Sequence, residues 1–140
     1  MNVTTVVDYG IVNLGNILRG LEYVGAKVET TFDPERVLKA DRLVLPGVGA
    51  FGPGMSELGL RGLDQALVEV ARVGRPVLGI CLGMQMLLDI SAEDGRHKGL
   101  GLIPGEVMPI PKTSEGYRGK RRKVPELKRL IFQGAHKSLI

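Results

Sequence analysis

Apolar and polar positions change period repeatedly before residue 98. Residues 3–7 (Val-Thr-Thr-Val-Val) are β-branched throughout and run into Asp8-Tyr9-Gly10, which reads as strand then turn. From Leu14, apolar residues recur at Ile17, Leu18, Leu21 and Val24, the spacing of one helix face, and Gly25 stops it. Residues 27–31 form a second extended run, Asp33-Pro34 opens a short helix, and residues 42–45 form a third strand ending at Pro46. Leu60, Leu63, Ala66, Leu67, Val70 and Ala71 make a helical stripe that Gly74 closes. Residues 76–80 are a continuous apolar run, as expected of a strand buried on both faces, and residues 82–90 resume helical spacing. Strands alternating with helices at such short intervals predict an α/β fold with a doubly wound, mostly parallel sheet and right-handed crossovers. In such a sheet the site lies at the carboxyl ends of the strands, where the loops after Val7, Leu45 and Ile80 should converge.

After Lys98 the texture changes. Gly99 to Val107 is a glycine-punctuated stretch that reads as a hairpin or strand pair, and poor order is expected from about Lys112. Two parts are predicted: an α/β domain over residues 1–111 and a basic tail over residues 112–140. Charge sharpens that division. Up to Gly116 there are 11 Lys and Arg against 14 Asp and Glu, whereas from Tyr117 onward there are 8 against 1, so the net +4 belongs to the tail. A mildly acidic body argues against nucleic-acid binding by the domain, which needs Lys and Arg spread over a docking face. The block at residues 118–123 has only Tyr117 as a neighbouring aromatic and reads as a solvated linker. With 44% hydrophobic and 24% charged residues the 140-residue chain can bury a core as one domain. No apolar run approaches the roughly 18 residues of a membrane span. The start carries Asp8 and no basic cluster, unlike a secretory signal, so a cytoplasmic location is expected with no membrane partner. The single cysteine, Cys81, excludes an internal disulfide and a cysteine-based metal site.

The candidate chemistry centres on that thiol. Gly79-Ile80-Cys81-Leu82-Gly83 fits the G-x-nucleophile-x-G pattern, in which glycines flank a residue on a tight strand-to-helix turn where any Cβ would clash. The positive end of the helix stabilises negative charge forming there, and the Leu82 amide can donate to a developing oxyanion. Against this stands the commoner fate of a lone cysteine, a small buried hydrophobe. Pro46-Gly47-Val48-Gly49-Ala50-Phe51-Gly52, after the third strand, offers successive amides without bulky side chains, which suits a second oxyanion donor. An ordinary flexible loop would look the same. No Gly-Lys-Ser or Gly-Lys-Thr follows, so it is not a P-loop, and its spacing is not that of a dinucleotide fingerprint.

Gly79 to Gln85, taken with residues 46–51, resembles the class I (triad) glutamine amidotransferases. Residues 8–14, 45–52 and 99–105 resemble, within that family, the glutaminase subunits of imidazole glycerol phosphate synthase. The likeness covers roughly residues 1–111. It implies a flavodoxin-like fold and a thiol, Cys81, that attacks the carboxamide of glutamine to give a glutamyl thioester and ammonia. It implies an oxyanion site of Gly47, Val48, Gly49 and the Leu82 amide, and Gln85 holding the substrate. It further implies a partner, a cyclase (β/α)8 barrel of histidine biosynthesis that receives the ammonia, and no metal or organic cofactor of the subunit's own.

Two departures stand out. The family motif near the start has glycine where this chain has Val12, and a β-branched residue is disfavoured wherever a turn needs positive φ. The family also carries a His-Pro-Glu sequence that completes a Cys-His-Glu triad, and this chain has none. Its two histidines are His97, read as a surface loop residue, and His136, in a stretch that resembles the family motif only without its Pro-Glu. Lacking a base and an acid for the leaving group, each worth ~10² to 10⁴ in rate, the chain is expected to turn over glutamine poorly. Two other functions remain open: a non-catalytic binding module on the same fold, and a cysteine-elbow stress or deglycase-type protein, against which Gly83-Met84-Gln85 counts. Apolar strand edges are expected to be exposed and to promote self-association.

Overall fold

The structure is a computed structural model and describes residues 3–109, all but the last of them within the first of two units, Met1–Met108. The expected boundary after residue 111, the basic block at residues 118–123 and His136 lie outside the described residues.

The elements run β1 (Thr4–Val7), α1 (Leu14–Tyr23), β2 (Val28–Thr31), α2 (Pro34–Lys39), β3 (Arg42–Leu45), α3 (Phe51–Leu60), α4 (Leu63–Arg72), β4 (Val77–Gly79), α5 (Leu82–Met86), β5 (Leu88–Ser91), β6 (His97–Lys98) and β7 (Ile103–Val107). Strands β2-β1-β3-β4 form one sheet, parallel throughout, with Thr5 opposite Leu43 and Val44 opposite Leu78. That order is the flavodoxin-like one, so the sequence expectation of a doubly wound α/β sheet holds. Alternation along the strands puts Val7, Leu43 and Leu45 on one face, where they join Val37, Phe51, Leu58, Leu63, Leu67, Val70 and Met86 in the core. Asp33 caps α2, its carboxylate accepting from the Glu35 amide at 2.9 Å, with Pro34 at the first helical position as the sequence suggested.

Three local readings are corrected. The glycine-rich stretch read over residues 46–52 stops short of its last two residues, since Phe51 and Gly52 open α3: the interior Gly and Pro of that helix weaken it, and burial of Phe51, Gly54 and Leu58 outweighs that propensity. Residues 82–90 do not form one helix. The carbonyls of Met86, Leu87 and Leu88 accept from the amides of Leu100, Leu102 and Gly101, ending α5 and releasing Leu88–Ser91 to become β5. That strand heads a second sheet, order β6-β5-β7, in which β5 pairs antiparallel with β6 and parallel with β7. Residues 99–107 are therefore not a hairpin; the hairpin is β5–β6, and β7 returns to the other side of β5.

The positive φ in the first turn belongs to Gly10 (+91°), and Val12 is not among the non-glycine residues with positive φ, so the valine introduces no backbone strain there. Among the described residues no helix is long and apolar enough to cross a membrane.

Strand β4 pairs with β3 on one side, and among the described residues nothing pairs with the other. Leu78, on the same face as Val44, is 49% exposed there. An apolar residue beside an open edge favours association between copies. Leu78→Lys is expected to change stability by no more than about 0.5 kcal/mol and to reduce self-association seen by light scattering. Unchanged association would locate the contact elsewhere.

Candidate active site

Cys81 stands between β4 and α5, exposed, with φ +54° and ψ −120°. A non-glycine residue held there costs about 1–3 kcal/mol, so its surroundings must enforce the conformation. They do so through β3. The Ile80 amide donates to the Leu45 carbonyl at 2.9 Å, extending the β3–β4 ladder into the turn. The Gly83 amide donates to the Ile80 carbonyl at 3.0 Å, and the Gln85 amide to the Cys81 carbonyl at 3.2 Å. Leu82 and Met86 are buried and pin the short helix to the core. Both flanking glycines are sterically required: a Cβ on Gly79 would lie 2.7 Å from the Met84 amide nitrogen, and one on Gly83 would overlap the Leu45 carbonyl oxygen. The elbow read from the sequence is present, and Cys81 is not the buried small hydrophobe of the alternative reading.

The loop after β3 packs against this turn. A Cβ on Gly47 would meet the Tyr9 hydroxyl and would lie 2.8 Å from both the Gly83 amide nitrogen and Leu82 Cβ. Gly47 is buried, Val48 is half exposed, and Gly49 has φ +92°. None of the Gly47, Val48, Gly49 and Leu82 amides donates to another backbone group among the described residues. Gln85 sits half-buried one helical turn beyond Cys81. Every site residue singled out in the sequence thus falls on this elbow or on the loop packed against it. The arrangement suits attack by sulfur on a carbonyl, with amides ready for the oxygen that gains charge.

Two residues escaped the sequence reading. Tyr9 is fully buried and its hydroxyl donates to the Pro46 carbonyl at 2.8 Å, while burial pushes its pKa upward. Glu93 accepts from the Phe51 amide at 3.2 Å, supplying an acceptor to the first turn of α3, where Ala50 offers no side-chain cap. These contacts span 37 and 42 residues, and no local pattern announces them. His97, expected on a surface loop, belongs instead to β6 and is half-buried: a Cβ on Gly52 would lie 2.8 Å from its Cε1, and its Nε2 is 3.2 Å from the Asp94 carbonyl. It makes no hydrogen bond to Cys81. Among the described residues no group of three or more His, Cys, Asp or Glu could hold a metal ion.

A thiol on a strained strand-to-helix turn, faced by an amide-rich loop from the neighbouring parallel strand, defines the class, and the sequence profile of Glutamine amidotransferase class-I matches residues 5–140. The chain belongs to the class I glutamine amidotransferases. It is 50% identical over 115 residues to the imidazole glycerol phosphate synthase subunit HisH of Wolinella succinogenes, covering 81% of this chain and 56% of that protein. It is 46% identical over 127 residues to HisH 1 of Legionella pneumophila strain Lens (91% of this chain, 59% of that one). With HisH of Symbiobacterium thermophilum it shares 54% identity over 106 residues, covering 76% and 50%. The chain thus spans between half and three-fifths of the length of these relatives. A solved Listeria monocytogenes structure described as a peptidase E superposes with a TM-score of 0.54 at 17% identity, over 64% of this chain and 50% of that one, a likeness of fold alone.

Proposed function

We propose that this chain carries the thiol half of a glutaminase site, as the glutaminase subunit of an imidazole glycerol phosphate synthase. In this reading the Cys81 sulfur attacks the carboxamide carbon of glutamine and the amides of Gly47, Val48, Gly49 and Leu82 receive the oxygen. Gln85 contacts the bound substrate. Ammonia leaves, water releases glutamate from the thioester, and the ammonia passes to a cyclase (β/α)8-barrel partner in histidine biosynthesis, in the cytoplasm. The observation that carries the reading is Cys81 at φ +54° with the Gly47 loop packed on the same turn. The names of the relatives support the choice of synthase and of a second subunit.

Proton transfer is the weak step. The one histidine among the described residues is engaged elsewhere, and the sequence contains no His-Pro-Glu. We expect glutamate release that depends on Cys81 but runs ~10² to 10⁴ below that of a full-length relative assayed alongside. The assay is glutamate formation from glutamine, with and without the cyclase barrel, using Cys81→Ala as the blank. Release equal to the blank would favour the second reading, which the hydrogen bond of His97 to the Asp94 carbonyl rather than to Cys81 supports: a non-catalytic module that keeps the fold and binds its partner even as Cys81→Ala.

A further inference from the structure

Tyr9 has a hydroxyl that the chemistry above does not use. The ring is fully buried, and the hydroxyl's one hydrogen bond as donor goes to the Pro46 carbonyl, itself on a buried residue. The described residues contain no cis peptide, so the Pro46 carbonyl and the Gly47 N–H of their shared peptide point in opposite directions. Holding the carbonyl toward Tyr9 therefore aims the Gly47 N–H away from it. Gly47 is also closely packed, with the Tyr9 hydroxyl against the place a Cβ would occupy and the Gly83 amide nitrogen 2.8 Å from that same place. Burial favours the neutral phenol, so the donor persists well into alkali.

We propose that Tyr9 is a positioning residue for the oxyanion site, its hydroxyl fixing the Pro46–Gly47 peptide so that the Gly47 N–H is preset for a carbonyl oxygen attacked by Cys81. The proposal rests on the reading of these amides as an oxyanion site. A phenylalanine would fill nearly the same volume but leave a buried carbonyl without its donor, and the peptide would turn to find another.

Two reactions of Cys81 separate positioning from mere packing. Iodoacetamide alkylates by direct displacement: the thiol proton goes to solvent, a carbon–sulfur bond forms, the carbon–iodine bond breaks, iodide departs with the electron pair, and no oxyanion arises. p-Nitrophenyl acetate is attacked at its carbonyl, passes through a tetrahedral oxyanion, and loses p-nitrophenolate as the thioester forms. Neither leaving group needs a protonating acid, so the comparison does not depend on a general acid. With Cys81→Ala as the blank, Tyr9→Phe in the full chain is expected to alkylate within twofold of wild type and to acylate at least tenfold more slowly. Equal acylation, a parallel fall in both rates, or loss of the native circular dichroism would each overturn the proposal, the last two by showing a structural role. If wild type shows no greater ratio of acylation to alkylation than N-acetylcysteine, the oxyanion reading itself fails, and it does so before any variant is compared.

Discussion

Gly83→Ala is expected to lower stability by about 3 kcal/mol or more, because the added methyl has nowhere to go. Its carbon would overlap the Leu45 carbonyl oxygen and lie 2.7 Å from the Leu45 carbonyl carbon and 3.0 Å from that of Pro46, all main-chain atoms. Neither side can yield easily. Leu45 ends β3, a strand paired on both sides with Leu43 and Leu45 in the core, and α5 is held by buried Leu82 and Met86. Against a total of roughly 5–15 kcal/mol for a domain, such a loss is a large share of the whole. The denaturation midpoint measures it, and Gly20→Ala is the control. Gly20 lies inside α1 with nothing within 4 Å of a new Cβ, so there the same change should stabilise by about 0.5–1 kcal/mol. A Gly83→Ala protein as stable as wild type would mean that α5 can lift from β3 at no cost.

Cys81→Gly is expected to remove every reaction of the thiol while raising stability by about 1–2 kcal/mol. Cys81 occupies φ +54° at a cost that glycine does not bear. The comparison is with Cys81→Ala, which also lacks sulfur but keeps a Cβ in the same conformation. Equal midpoints for the two variants would show that the turn stores no strain. A higher midpoint for the glycine variant would measure what the fold spends to present the nucleophile.

The parallel sheet was legible because its signals are local. The β-branched run at residues 3–7, the proline after Leu45 and the stripe through Leu63, Ala66, Leu67 and Val70 each speak for their own segment, and the elements fall where those patterns place them. Cys81, Gly47 and Leu82 were legible for the same reason, since glycines at fixed offsets leave few other uses for a turn. What escaped depends on partners remote in sequence. α3 is built on Gly52, Pro53, Gly54 and Gly59, a composition that argues for loop, and it is helical because Phe51 and Leu58 find the core. The end of α5 is set by amides at residues 100–103 that no window around residue 87 contains. Tyr9 and Glu93 act on the loop at residues 46–51 from the first turn of the sheet and from the β5–β6 turn; the strand pattern places the first of these stretches at the site edge, but nothing local shows that the Tyr9 side chain reaches Pro46, and the second carries no mark of a site.

The Leu45 carbonyl gives the five-residue motif an owner outside itself. It receives the Ile80 amide and sets how close Gly83 must come, so the unusual dihedral angles of Cys81 are imposed by the end of a strand more than thirty positions earlier. The motif is therefore not portable. Copied onto another helix as Gly-Ile-Cys-Leu-Gly, it would carry the residues without the template, and the cysteine would relax into ordinary backbone; what travels as a unit is the pair of adjacent parallel strands with the turn that follows each.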